Sequence, residues 1–231
     1  MKVFAISDLH LSLNNPKPMD IFGPVWEGYL DKIFSDWKEM VGSDDIVLMA
    51  GDFSWAMKLE DAVDDFKLLE FLPGKKIIIK GNHDYWWKSI SAVRGILPQG
   101  FYALQNDAIK FGNVVVCGTR GWATPEKNMS QTPEDEKIYK REILRLEMSL
   151  EAANKLREEG DKVLCMMHYP PFNFTRENSP FSNLIEKYNV DSVIFGHIHG
   201  YKNIQLEFEK NNIKYFLTSC DMVKNNIVRV L

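Results

Sequence analysis

Short apolar runs alternate with amphipathic stretches along the first hundred residues. Residues 2–7 are β-branched and aromatic and predict a first strand. Residues 25–40 carry Trp26, Leu30, Ile33, Phe34 and Trp37 at helical spacing and predict a helix. Ile46 to Ala50 is a continuous apolar run of the kind buried on both faces of a sheet. A second helix is predicted over 59–71, stopped by Pro73 and Gly74, and a third strand over 75–80. A third helix follows over 85–96, with Asp84 placed to cap it. This strand-helix alternation predicts right-handed crossovers and a largely parallel sheet.

The pattern changes after Pro98. Short strands at 101–104, 108–111 and 113–118, separated by polar turns, predict an antiparallel portion. Residues 119–131 read as loop, and 133–159 as one long charged helix with Ile143, Leu146, Leu150 and Ala153 on its apolar face. Buried strands are predicted at 163–167 and 192–195, a short helix at 183–188, and closing strands at 204–208, 215–219 and 227–231. No repeat or linker divides the chain, so one domain over 1–231 is expected, with 119–159 a loop-plus-helix insertion positioned to cover a site.

A chain of 231 residues with 45% apolar side chains can bury a substantial core. Its net charge of −4 supplies no general field toward nucleic acid or anionic membranes. Cys117, Cys165 and Cys220 are far apart and sit in apolar runs, which predicts buried thiols in a reducing compartment. No run approaches the roughly 18 apolar residues of a membrane span. The cytoplasm is the expected location.

What changes this picture is how the apolar runs end. Five terminate in polar clusters: Asp8-x-His10, Gly51-Asp52, Gly81-Asn82-His83-Asp84, His168, and Gly196-His197-x-His199. All five histidines of the chain fall inside these clusters. Ligand sites of such sheets form beyond the carboxyl ends of the strands, so the clusters are positioned to meet. Asp8 and His10, two apart on an extended segment, are expected to point the same way. Any one cluster could be a strand cap, but all five in order are a poor match to chance. Oxygen and imidazole donors without thiolate favour borderline to hard divalent metals such as Mn, Fe or Zn. The seven side chains Asp8, His10, Asp52, Asn82, His168, His197 and His199 exceed one tetrahedral shell, and fit two ions sharing a carboxylate about 3.5–4 Å apart.

The ordered set D-x-H, G-D, G-N-H-[DE], H, G-H-x-H resembles the calcineurin-like metallophosphoesterase superfamily, and each element is present between Asp8 and His199. The resemblance implies an α/β fold, a four-layer α/β/β/α sandwich with two mixed β-sheets. It also implies two divalent ions, most simply Mn. One would be held by Asp8, His10, Asp52 and His199, the other by Asp52, Asn82, His168 and His197, with Asp52 bridging. The implied reaction is hydrolysis of a phosphate monoester or diester of a small phosphorylated molecule by a metal-bridging hydroxide. His83, left outside the ligand set, would then be the acid for the leaving group.

The Ser/Thr protein phosphatases of this superfamily carry Asp-Arg-Gly near this point, whereas here Gly51-Asp52 runs into Phe53-Ser54-Trp55. The pattern is closer to compact bacterial-type phosphohydrolases. Arg120 is the candidate phosphate clamp, because a guanidinium matches phosphate bidentately. Trp55, Tyr85, Trp86, Trp87, Trp122, Phe172, Phe174 and Tyr201 are candidates to contact substrate, in competition with core packing. Asp84 has two readings, helix cap or partner of His83. A nuclease using the same site is disfavoured by the acidic balance. A non-catalytic binding module on the same fold is disfavoured by the complete ligand set.

Overall fold

A computed structural model describes residues 1–14, 16–127 and 130–231; positions 15, 128 and 129 of the predicted loops lie outside the described residues. The first half of the chain runs β1 (Val3–Ala5), α1 (Tyr29–Met40), β2 (Ile46–Met49), α2 (Leu59–Glu70), β3 (Lys75–Ile78), α3 (Ile90–Arg94) and β4 (Phe101–Ala103). The second half runs β5 (Ala108–Phe111), β6 (Val114–Thr119), α4 (Pro133–Leu156), β7 (Lys162–Met167), α5 (Pro180–Lys187), β8 (Ser192–Phe195), β9 (Glu207–Lys210), β10 (Ile213–Leu217) and β11 (Val228–Arg229). One sheet has the order β11-β1-β2-β3-β4 and the other β5-β6-β7-β8-β10-β9. Both are mixed. Parallel interiors are edged by antiparallel β11 in the first sheet and by β5 and β9 in the second.

The continuous apolar runs are explained by burial on both faces. Val3, Ala5, Ile46, Leu48 and Ile77 pack against Val116, Leu164, Met166, Ile194 and Phe216 between the sheets. The alternate residues Phe4, Val47, Met49 and Ile78 face Ile33, Trp37, Phe66 and Leu69 of the helices outside the first sheet. Val115, Cys117, Cys165, Met167 and Val193 face Leu146, Leu150, Phe181 and Ile185 outside the second. With a period of two, each strand serves two cores, and the result is the four-layer α/β/β/α sandwich. All three cysteines are buried and free.

Several predicted elements are corrected. The first helix begins at Tyr29, because Pro24–Trp26 form a 3-10 turn and Gly28 is left-handed at φ 58°. The third shrinks to Ile90–Arg94 and is capped by Ser89, whose hydroxyl accepts from Ala92 N–H. Asp84 is not a helix cap; its carboxylate is buried elsewhere, as described below. Of the strands predicted to be antiparallel, β4 is parallel to β3, and only β5 and β6 form a hairpin. The closing hairpin shifts to 207–217, since Asn211 and Asn212, at φ 53° and 63°, make its tight turn. Helix α5 starts three residues before the predicted 183, at a capping box of Ser179 and Ser182.

The segment 119–159 divides in two. Helix α4 is part of the outer layer, with Tyr139, Leu146, Leu150 and Ala153 in the second core. Thr132 caps it by accepting from Asp135 N–H. Among the described residues no helix is long and apolar enough to cross a membrane.

The inter-sheet core should dominate stability. Leu48→Ala is expected to cost about 2–5 kcal/mol in urea unfolding. Leu144→Ala, 62% exposed on α4, should change stability by less than about 0.5 kcal/mol.

Candidate metal centre

The first sheet and the second end their strands at the same side, and the turns beyond them are tied by backbone hydrogen bonds. Asp8 N–H donates to Gly51 O, His10 N–H to Asp52 O and Leu11 N–H to Phe53 O. His168 N–H donates to Arg120 O and Gly196 N–H to His168 O. Asp8, His10, Asp52 and His197 have φ values of 59°, 49°, 50° and 70°. These left-handed residues fold each strand end back on itself, so Asp8 and His10 converge through sharp turns and not through the extended geometry expected. Non-glycine residues pay for such a conformation, and its concentration at one place marks a functional site.

Glycines provide clearance at the same place. A Cβ on Gly81 would lie 2.1 Å from Asp52 Oδ1, and one on Gly196 would lie 2.3 Å from Asp8 Oδ2. The two carboxylates therefore sit where only glycine lets them sit.

Asp8, Asp52 and His168 are buried, and His10 is 4% exposed. Two trios bring potential ligand atoms within 4.8 Å of one another: Asp8, His10 and His199, and Asp8, Asp52 and His168. The trios share Asp8. Asp52 Oδ2 also reaches a member of each, at 3.9 Å from His10 Nε2 and 3.6 Å from His168 Nε2. His199 Nε2 lies 3.8 Å from Asp8 Oδ1. These separations exceed hydrogen bonds, and they suit donors around a common ion.

Asn82 supplies the sharpest test of fit. His168 Nδ1 is 2.9 Å from Ala50 O, a carbonyl that can only accept, so this nitrogen carries the proton. In the neutral ring Nε2 is then a lone pair, yet it faces Asn82 Oδ1 at 2.6 Å. Asn82 Oδ1 also lies 2.9 Å from His197 Nδ1. As oriented, Nε2 and Oδ1 are two acceptors that one cation would satisfy together, whereas a turned amide would donate Nδ2–H to Nε2 instead. The donor set fits a divalent ion.

The electrostatics agree. Burial pushes Asp8 up to about 8, with the charge of Asp52 adding to it. Burial also raises Asp52. It pushes His168 and His197 down to about 3 and His10 well below its ordinary value. Burial alone would lower His199, but its hydrogen bond to Asp221 and the charge of Asp8 raise it. Neutral imidazoles beside carboxylates short of countercharge are what a metal ion would find.

His83 N–H donates to Asp52 Oδ1 at 2.8 Å. Its ring packs on Trp55 at 4.5 Å and its Nδ1 is buried without a partner among the described residues. Asp84, one residue on, turns inward and does not orient His83. One oxygen accepts from Phe53 N–H, Ser54 N–H and Trp86 Nε1–H, and the other from Gly81 N–H. It clasps the two ligand-bearing turns together. Burial beside Asp52 pushes it up to about 7, against the pull of its donors.

The structure sorts the remaining candidates. His10, Asp52, Trp55, His83, His197 and His199 line one pocket of about 490 Å³. Trp86 and Trp87 are core residues, and Tyr85 lies at the rim of His83. Phe172, Phe174 and Tyr201 line a second, largely apolar pocket of about 390 Å³ that shares His197. Trp122 packs beside the second core, and Arg120 lines a separate cleft. Two contributors went unnoticed in the sequence. Asp221 accepts from His199 Nδ1–H at 2.8 Å and from Gly200 N–H, fixing the ring. Trp26, read as part of a helix face, stands 5.9 Å from His199. The end of the apolar run 215–220 at Asp221 was the available signal for the first.

The family model for calcineurin-like phosphoesterases matches residues 1–201. No curated protein sequence matches the chain. Among solved structures, a protein of unknown function from Aquifex aeolicus aligns over 99% of this chain and 95% of its own, with a TM-score of 0.53 at 15% identity. A Thermus thermophilus protein aligns over 98% of this chain and 96% of its own, with a TM-score of 0.61 at 13% identity. At these identities the likeness is one of fold.

Two outcomes are expected. A raised acid such as Asp8 stabilises the fold below 3.8 and loses that contribution as pH rises through about 8. The depressed His168 and His197 stabilise above 6.5 and lose their contribution as pH falls toward about 3. The melting temperature of chelator-treated protein should therefore fall from pH 6.5 to 8, and should also fall below 6.5. A flat profile above 6.5 contradicts this. Asp84→Asn keeps one oxygen for Phe53, Ser54 and Trp86 but sets an amide N–H against Gly81 N–H, and should destabilise by about 1.5–3 kcal/mol in urea unfolding.

Proposed function

Because the chain belongs to the calcineurin-like phosphoesterase family, we propose that it is a dinuclear metal-dependent phosphohydrolase acting on a small phosphate ester. The observation that carries this is the convergence of Asp8, His10, Asp52, His168 and His199 into two trios that share Asp8, each with potential ligand atoms within 4.8 Å of one another. Asp8, His10, Asp52 and His199 would hold one ion, and Asp52, Asn82, His168 and His197 the other. Two manganese ions are favoured, with iron or zinc as alternatives, because all donors are oxygen or imidazole nitrogen. The nearby Cys220 thiol is turned to Asp8 O and stays out of the set. Bound divalent cations supply Lewis acidity toward the phosphoryl oxygens and lower the pKa of coordinated water from 15.7 to about 7.

The residues of the chain divide the remaining work. Asp52 takes His83 N–H and so fixes the backbone that carries the imidazole. His83, at the pocket and outside the ligand set, delivers a proton to the leaving oxygen. Trp55 covers both His10 and His83, at 4.8 and 4.5 Å, which keeps bulk water from the proton-transfer side. Asn82, as a ligand, would also set where a phosphoryl oxygen rests.

The pocket over the centre and the apolar pocket meet at His197, which lines both. A diester has an organic group for each, which favours it over a monoester. The first pocket is walled by Trp26, Trp55 and Phe22, and the second by Phe172, Phe174, Tyr201 and Phe208.

Nitrophenyl mono- and diesters with added manganese test this reading. Metal-dependent hydrolysis of both is expected, with the diester preferred, and no turnover with any divalent metal would overturn it. His83→Ala should keep the metal content and lower kcat by about 10²–10⁴, most for esters with poor leaving groups. Loss of metal in that variant would make His83 a ligand.

A further inference from the structure

The sequence placed Arg120 at the metal centre as a phosphate clamp, but its side chain lies in a different cleft. This cleft, about 230 Å³, opens where Lys80 follows β3, Asn106 follows β4 and Arg120 follows β6, with α4 as its far wall. Lys80, Lys88, Arg120, Arg141 and Arg145 line it, and Glu142 is the one carboxylate among its lining residues. In a chain with a net charge of −4 this is a strong local reversal of sign.

Glu142 cannot neutralise the set. It is fully buried, and its oxygens are taken by Thr119 Oγ1–H at 3.0 Å and Arg145 Nη1–H at 2.7 Å. Arg141 Nε and Arg120 Nη2 stand off at 3.6 and 3.8 Å, too far for hydrogen bonds. Arg120 is 18% exposed, with its guanidinium 4.7 Å from the centre of the Trp122 ring. Its Nε is buried with no partner among the described residues. Burial lowers both Arg120 and Lys80, whose charges also oppose each other. A largely desolvated guanidinium with unspent donors is costly unless an anion completes it.

We infer that this cleft is an anion site, distinct from the metal centre, built to take a phosphoryl dianion between the Arg120 and Arg141 guanidiniums and the lysines. Phosphate suits it because planar forks donate pairwise to tetrahedral oxygens, while exposed Lys88 and half-buried Lys80, whose Nζ–H also donates to Trp87 O at 2.8 Å, add point charges. The strand ends that form the cleft also support the centre, since Arg120 O accepts from His168 N–H and Tyr169 N–H. An anion held here would therefore brace the turn that carries His168. The inference stands apart from the proposed hydrolysis, because it concerns binding by the metal-free protein.

Calorimetric titration of chelator-treated protein with inorganic phosphate, against sodium chloride at matched ionic strength, tests it. Saturable binding is expected. Arg120→Gln and Arg141→Gln should each weaken it at least about tenfold, the loss of one charge-assisted contact. Asp52→Asn, at the centre, should leave it unchanged. Arg141 is half exposed, so its variant reports on binding even if Arg120→Gln unfolds. Phenyl phosphate in parallel separates the sources: equal affinity assigns the site to the free anion, and tighter binding to a phosphorylated organic molecule. No saturable binding, or binding lost in Asp52→Asn and kept in both arginine variants, would overturn the inference.

Discussion

Two carboxylates, Asp8 and Asp52, are held out of water at the ends of neighbouring strands, within reach of His10 and His168, which burial keeps neutral, and of His199, which Asp221 and Asp8 raise. Burying charge in this way is costly without an opposite charge close by. No group among the described residues around them supplies it in full. The cluster makes physical sense as a candidate cation site, whose carboxylates and imidazoles the fold itself assembles at the cost of their repulsion. That cost is the affinity the site holds in reserve for a cation.

The rest of the fold is arranged to meet this cost. Strands buried on both faces anchor their ends rigidly, since each packs into two cores at once. Left-handed turns at Asp8, His10, Asp52 and His197 then aim the side chains inward. Gly81 and Gly196 remove the atoms that would collide with the carboxylates. Asp84 locks two of the turns through four hydrogen bonds, and Asp221 fixes the tautomer of His199. A site preorganised in this way would lose little on binding a cation, which is how rigid packing becomes chemistry.

Much of this was legible in the sequence because burial leaves a period. The continuous runs at 46–50 and 163–167 announced strands covered on both sides, and their polar ends announced the centre. What could not be read was direction. Asp84 looked like a cap because Asp before a helical pattern usually is one; only the fold shows Phe53, Ser54 and Gly81 offering it their N–H groups from two separate turns. Asp221 was hidden because its partner His199 is remote in topology, joined through β10. Arg120 sits next to a ligand-bearing strand end, yet its side chain leaves the turn on the side of α4. Sequence fixes where such a residue is along the chain, and the twist of the sheet decides which cavity it enters.

The centre and the cationic cleft share one principle, a buried excess of one sign awaiting the other, and the central claim concerns the first. Its most direct test is a crystal structure of manganese-loaded protein with anomalous data collected at the manganese edge. The account predicts two anomalous peaks about 3.5–4 Å apart with Asp52 between them, and with Asn82 and His168 on the same ion. A single peak, or two peaks that leave Asp52 or Asn82 uncoordinated, would contradict it.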